Sequence, residues 1–421
     1  MGKTAVLAAA DLAFARGEFA RYYRAHEVPP PGRFTRREFA AFPFATETVM
    51  RRHAAFPSAD RFHEFLKNEV PRHVYYSSAY YQRPEAPKMV DKGWVGADLI
   101  FDLDADHLRD AEKLDYVAQL QQVKRRFRQL LDDFLFGDFG IDPAQVTLVF
   151  SGGRGYHVHV HEPGFLGLTS PERRELVEYI LGIGLDPKRA VRSERPRDPV
   201  AYSLDAGEGG GAESGTGRGS PRRAFQGLAD PSSPGWPGRI SRAVLELLAR
   251  WEQQGVDVAT EELVGLGMKR AVAQGLARKL IGERRAEWIR KGLSVEVFRG
   301  TVPESFLEAV LRHAAVEVQG ETDAPVTTDI HRLIRLPDSL HGGTGLMVRP
   351  LTRDGLDDFE PLRDAVVDDT GRAPVEVVPA VTRDYPWGEG RIELREGVPI
   401  ALSASAALFA VLRGEAAVTP A

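Results

Sequence analysis

Three aspartates spaced two apart, Asp102, Asp104 and Asp106, close an apolar run in the stretch "LIFDLDADHL". If that run is a strand, alternation puts the three carboxylates on one face and Phe101, Leu103 and Ala105 on the other. Adjacent ionised carboxylates repel one another and are costly in a folded core, so they call for a compensating cation. Carboxylates two apart on a strand can jointly ligate Mg²⁺ or Mn²⁺, which prefer oxygen ligands. Two such ions can activate a hydroxyl and stabilise a departing phosphate oxygen. A solvated acidic strand end is the competing reading, because an isolated Asp-x-Asp is common.

A second constellation is "SGGRGYHVHV". From Ser151 to Gly155 the glycines, Gly152 among them, allow backbone N–H groups to approach a phosphate, and Arg154 offers a guanidinium fork to its oxygens. His157 and His159 share one face of the strand that follows, opposite Tyr156, Val158 and Val160. The alternative is a hairpin with a glycine turn and two exposed histidines. The spacing is not that of a Walker loop. The pair of histidines could suggest zinc, but no cysteine is present to complete such a site. The third constellation, "ETDAPVTTDIHRLIRLPDSLHGGTG", adds the carboxylates Asp323 and Asp329, the cations Arg332 and Arg335, and His341 before another glycine turn.

Several elements must position these residues. The patterning predicts strands at "GADLIFDLDAD", on both sides of the "SGG" loop, and around "HRLIRLPDSLHGGTGLMVRP"; "VPRHVYYSSAYYQRP" reads as extended. Between Ala111 and Phe136, apolar Tyr116, Leu120, Val123, Phe127, Leu130 and Phe134 recur every three or four residues, which predicts a long amphipathic helix. Its basic run "KRRFRQ" reads as a solvated helix face, with a nucleic-acid contact as the alternative. A first helix is expected to turn Leu7, Leu12, Phe14 and Phe19 inward, and "ALSASAALFAVLRGEA" reads as a packing helix. The chain divides into an α/β body over 1–204, a flexible Gly/Ser/Pro-rich connection over 205–238, a small helical subdomain over 239–315, and the rest of the body with a C-terminal helix over 316–421.

A chain of 421 residues is long enough for a substantial core, and its net charge of -5 leaves room for a local basic patch. The absence of cysteine excludes disulfides, thiolate zinc sites and thiol catalysis. No segment carries the roughly 18 to 20 apolar residues of a membrane span. The expectation is a cytoplasmic protein with no membrane partner.

Taken in order, "FDLDAD", "SGGRGYHVHV" and "RLIRLPDSLHGGTG" resemble the archaeal and eukaryotic-type DNA primase catalytic (small) subunit, in its archaeal form. "HVYYSSAYY" and the closing "LRGEA" extend that resemblance over most of the chain. It implies an α/β fold with a mixed sheet flanked by helices, an inserted helical subdomain, and the active site on an exposed sheet face. It implies template-directed primer synthesis by nucleotidyl transfer with two Mg²⁺ or Mn²⁺ ions, on single-stranded DNA with nucleoside triphosphates, beside a primase large subunit.

The resemblance matches Asp102 and Asp104 to metal-binding aspartates. The third lies eighteen positions before the motif histidine; counting back from His341 reaches Asp323 rather than Asp329. Ser151, Gly152, Arg154, His157, Arg335 and His341 match nucleotide-binding positions, and Arg52 and Arg72 are carried over from the upstream segments. Two departures stand out. Gly343 occupies a position where many relatives carry lysine, and the Cys/His zinc knuckle of many relatives is missing, so no structural zinc of that kind is expected. A repair or gap-filling polymerase of the same superfamily would share these motifs. A metal-dependent phosphohydrolase would account for the aspartates but not the triphosphate cradle, and a non-catalytic nucleic-acid-binding subunit would need neither.

Overall fold

Runs rich in Val, Ile, Tyr and Phe become short strands here, and the amphipathic segments become the helices that cover them. The computed structural model describes residues 7–45, 49–107, 113–186, 191–194, 225–282, 310–315 and 320–419. Contacts divide the chain into two units, Met1–Leu181 with Glu321–Ala421, and Gly182–Gly320.

The first unit begins with helix α1 (Ala9–Ala25), strands β1 (Phe39–Phe42) and β2 (Arg51–Ala54), and helix α2 (Ala59–Glu69). Strands β3 (His73–Ser77), β4 (Ala79–Tyr81), β5 (Trp94–Ala97) and β6 (Leu99–Asp104) follow. Helix α3 (Tyr116–Gln129) leads to strands β7 (Val146–Phe150) and β8 (Gly155–Val160), and then to helix α4 (Ser170–Ile180). The second unit holds strands β9 (Val191–Glu194) and β10 (Phe225–Leu228) and helices α5 (Gly235–Gln254), α6 (Val256–Gly265) and α7 (Arg270–Ala277). Back in the first unit come β11 (Leu333–Arg335) and β12 (Arg349–Leu351).

Two four-stranded sheets carry the residues of interest. One has the order β12-β7-β8-β6 and the other β11-β3-β1-β2. Every described ladder is antiparallel, so the mixed sheet expected from the resemblance is corrected to antiparallel sheets with helices. The four-residue link between β7 and β8 illustrates the reason, since a connection that short can only join antiparallel neighbours. One face of β6 and β8 packs under α3, where Phe127 stacks on Tyr156 at 5.2 Å. On the other face Ile100 joins a core with Val74 and Tyr76 of β3, Phe39 of β1, Phe19 of α1 and Phe62 of α2.

All six apolar positions assigned to the long helix are buried, but α3 starts only at Tyr116, capped by the Asp115 carboxylate accepting from Ala118 N at 2.8 Å. Beyond Gln129 the chain continues as a wider-wound turn over Leu130–Asp138. Residues 108–112, where the expected helix began, lie outside the described residues. The basic run is tied down by neighbours: Lys124 donates to the carbonyls of Asp357 and Phe359, and Arg128 faces Asp132 and Asp357. In α1 the inner side is Ala15, Phe19, Tyr22 and Tyr23, with Leu7 and Phe14 partly buried beside them and Leu12 also partly exposed.

Of the expected connection 205–238, residues 205–224 lie outside the described residues; β10 and the start of α5 occupy part of the remainder. The C-terminal helix Ala404–Leu412 is buried throughout except at Ser405, and it is flanked by strands that the patterning did not single out: Val375–Pro379, Ile400–Leu402 and Ala416–Val418. Among the described residues no helix is long and apolar enough to cross a membrane.

Candidate active site

Antiparallel pairing of β6 with β8 sets Asp102 opposite His157 and Asp104 opposite Gly155. The His157 Nε2 lies 3.4 Å from the Asp102 Oδ1, and His157 Nδ1 has no hydrogen-bond partner among the described residues. His157 and His159 are both buried, not surface residues of a hairpin. Burial, chiefly, with His159, Arg335 and Arg332 adding to it, holds the His157 imidazole well below its usual range, so it is neutral at pH 7.

The expected open sheet face is also corrected. Because Ile100 is covered by the second sheet, the acidic row is accessible only toward its end, and the Asp102 side chain is 18% exposed. Asp106 departs from the row: a tight turn over Ala105–His107 takes it out of the strand, and its carboxylate receives the Arg154 guanidinium at 2.6 Å. Arg154 also lies 3.6 Å from Asp104.

The third segment reaches β6 through its backbone. Asp323 N donates to the Asp102 carbonyl at 2.8 Å, and the Thr322 hydroxyl approaches the same oxygen at 3.4 Å. Asp323 then caps the short helix Ala324–Thr328, in which Pro325 occupies the first turn, and Asp329 closes its far end. Asp323 thus stands at a helix start, as the preset φ of Pro325 favours. Asp329 Oδ1 accepts from His331 N at 2.9 Å, so its partner is a local amide. Burial pushes the Asp102 carboxyl up to about 7; Asp104 and Asp323 add repulsion, and Arg332 and Arg335 oppose it.

Cations and neutral imidazoles occupy the adjoining ground. In the "SGGRG" loop the Ser151 hydroxyl accepts from Gly153 N and Gly155 N, both at 3.2 Å, so the loop organises its own amides around that side chain. Gly152 has φ +75°, and a Cβ there would meet the Cβ of His341 at 2.6 Å, which seats the loop against the His341 turn. Thr344 ties the two together by donating to the Gly152 carbonyl. His341 Nδ1 is 3.1 Å from the Thr344 hydroxyl, and burial together with Arg335, His73, Arg72 and Arg154 keeps this ring neutral.

Arg72 donates through Nε to the Gly342 carbonyl at 2.8 Å, while its Nη2 is buried with no hydrogen-bond partner among the described residues. Gly342 admits no side chain, because a Cβ would collide with the Arg72 backbone. Arg335 lies over the Tyr75 ring at 5.0 Å, with Nη1 on the Nδ1 of His73.

The structure therefore gathers Asp102, Asp104, Asp323, Arg154, His157, Ser151, Gly152, Arg335, Arg72 and His341 around the ends of β6, β8 and β11. It does not bring Arg52 into that set. Arg52 Nε donates to the buried Glu38 carboxylate at 2.9 Å, and β2, which carries it, is the strand of its sheet farthest from β11. His73 was missed in reading the sequence, although its place in the alternating "HVYYS" run put it on one face with Tyr75.

All-oxygen donors carrying excess negative charge suit a hard divalent cation, and the raised Asp102 carboxyl is the observation that fits one. Among the described residues no three His, Asp or Glu side chains already converge as a finished metal cage. Comparison with known proteins finds relatives along most of the chain. A family model described as DNA primase small subunit matches residues 101–353. The DNA primase small subunit PriS of Methanoregula boonei is 42% identical over 365 residues, covering 84% of this chain and 85% of its own. That of Methanothrix thermoacetophila is 37% identical over 411 residues, covering 96% and 98%. That of Halorubrum lacusprofundi is 34% identical over 416 residues, covering 97% and 98%. Lengthwise agreement of this kind, together with the site's geometry, assigns the chain to the DNA primase small-subunit family.

Proposed function

We propose that the primer synthesis of this primase subunit takes place at the end of β6, with Asp102, Asp104 and Asp323 holding two divalent ions and the neighbouring cations holding the nucleotide. The chain is a DNA-directed polymerase of the nucleotidyltransferase class, and its family uses divalent metal. The finer reading is that the ions are Mg²⁺ or Mn²⁺, supplying charge neutralisation at the attacking and leaving oxygens. One observation carries the assignment: Asp102, its side chain 18% exposed and its carboxyl raised by burial and two neighbouring carboxylates, has the Asp323 amide fixed to its own carbonyl, with Arg332 and Arg335 acting on its charge.

The remaining residues bind and orient. Arg335 and Arg72 present charge to a triphosphate from the β11 and β3 side, and Arg72 has an Nη2 still to be satisfied. Arg154 exchanges its Asp106 partner for a phosphate, trading one anion for another at little net cost. Neutral His157 and His341 accept or donate single hydrogen bonds without adding charge. Ser151 and Gly152 hold the loop in the shape that places Arg154. The large primase subunit is the expected partner, and single-stranded DNA the template.

The test is synthesis on single-stranded template with labelled nucleotides and Mn²⁺. Wild-type chain extends and Asp102→Asn or Asp104→Asn does not, while both variants keep a normal melting transition. Near-normal synthesis by either variant would remove the assignment.

A further inference from the structure

A second cleft in the first unit, of about 430 Å³, is lined by Arg33, Arg36, Tyr80, Gln82, Val95, Gly96 and Leu166. It lies outside the set of residues assigned above. Its cationic wall is the turn after the proline run "PPPG", and Arg33 occupies that turn at φ 55°, a left-handed conformation that arginine rarely adopts. Such strain persists where surrounding structure imposes it, and it is concentrated at functional positions. Here it sets the Arg33 guanidinium over the Tyr80 ring, 5.1 Å from its centroid. Arg36, three residues on, is exposed and has no described side-chain partner.

No aspartate or glutamate lines the cleft, so neither guanidinium is neutralised there. The opposite wall offers the amide of Gln82 and the exposed side chain of Val95, which is 60% exposed. Guanidinium planes beside apolar surface, with an amide donor at hand, form the kind of groove that follows a sugar-phosphate backbone and rests a base on its wall. The cleft is also mechanically joined to the acidic row. Tyr80 donates to Asp98, which precedes β6 by one residue, and Asp102 follows four residues later, about 13 Å along an extended strand.

We propose that the cleft between the Arg33–Arg36 turn and the β4–β5 pair holds the phosphate backbone of a single-stranded nucleic acid at a distance from the nucleotide site. This rests on the catalytic reading above and adds to it a place for the strand. The ligand is a polyanionic strand and not a free triphosphate, because its recognition uses two separated guanidiniums and an apolar wall instead of a converging cage.

The experiment measures binding of the full chain to a labelled single-stranded oligonucleotide by fluorescence anisotropy across a salt series, for Arg36→Gln and for Arg33→Gln with Arg36→Gln. Arg36→Gln changes an exposed side chain without a described partner, so it reports on binding even if the double variant folds poorly. The double variant is expected to bind the strand about tenfold more weakly. Its log–log salt slope should fall by about 1.4, from two lost phosphate contacts on a single strand. Affinity for a nucleoside triphosphate should be retained.

Unchanged strand affinity and slope in both variants would overturn the proposal. So would an equal loss of triphosphate affinity, which would make the cleft part of the nucleotide site. Asp102→Asn, run alongside, keeps the two readings apart: persistent synthesis in that variant sinks the catalytic assignment whatever the arginine variants do.

Discussion

Asp98, at the entrance to β6, and Asp102, within it, have the same side-chain parity and are both withdrawn from solvent, but their surroundings are opposite. Around Asp98 the chain supplies its own compensation. Arg37 of the first-unit core donates at 2.6 Å, Tyr80 donates to the other oxygen, and the His161 Nδ1 lies 3.3 Å away. Burial alone would raise this carboxyl, but the hydrogen bonds from His161 and Tyr80 and the Arg37 charge outweigh it and hold it well below the usual carboxylate range. Around Asp102, burial and the repulsion of Asp104 and Asp323 outweigh the opposing charges of Arg332 and Arg335, and its carboxyl rises. The first is a structural ion pair that joins the segments entering β1 and β6 to Tyr80 of β4; the second is, in the reading proposed above, negative charge available to a cation. The difference is between a carboxylate compensated by the fold and one that the fold leaves under-compensated.

The largest effect is expected at the open end. Asp102→Asn should lower synthesis by at least about a thousandfold, the order of loss for an electrostatic group acting in the transition state. Chemical melting should show no loss of stability, because the substitution relieves repulsion. A stable but active Asp102→Asn would erase the contrast with Asp98.

At the closed end the expectation inverts. Asp98→Asn leaves Arg37 buried without its counter-charge and should cost about 3 kcal/mol or more in urea unfolding. The pH dependence gives the sign. The folded Asp98 carboxyl titrates below its unfolded value of about 3.9, so its stabilisation is present above that pH and is lost as pH falls through the folded value. Tyr80, Arg37 and His161 face it, and its backbone carbonyl accepts from Arg173 at 2.9 Å. The wild-type acid limb should therefore be steeper than that of Asp98→Asn. Parallel limbs would mean that Asp98 is not the group the fold depends on.

A smaller effect sharpens the comparison without any enzymatic readout. Mg²⁺ or Mn²⁺ at ten times its dissociation constant should stabilise the chain by about 1.4 kcal/mol, seen as a rise in melting temperature. Asp102→Asn and Asp323→Asn should flatten that response. Equal shifts in wild type and both variants would place the ions elsewhere.

The smallest effect belongs to Asp329. Its described carboxylate contact is the His331 amide, so Asp329→Asn should cost about 1 kcal/mol or less and leave synthesis largely intact, whereas Asp323→Asn should eliminate it. The reverse ranking in a primer-synthesis assay would exchange their roles.

Much of this site was readable in the linear chain, for a local reason. Strand alternation alone put Asp102 and Asp104 on one face and Phe101 and Leu103 on the other, and the 3.6-residue period picked out the six buried positions that run from α3 into the turn after it. Motif order in "FDLDAD", "SGGRGYHVHV" and "RLIRLPDSLHGGTG" was enough to indicate the family.

What the linear chain could not contain were relations between distant segments. Asp323 lies beside Asp102 through a hydrogen bond spanning more than two hundred residues, and no periodicity encodes that. His73 joins Arg335 and the Gly342 turn because β3 pairs with β11, while Arg52 is drawn away to Glu38 by the pairing of β1 with β2. The same holds for charge. Asp98 and Asp102 are the same residue type four positions apart on one extended segment, and which of them is compensated depends on the groups that folding delivers to each carboxylate. Coulomb attraction and desolvation act through space across a few ångströms, and only a packed chain specifies those distances.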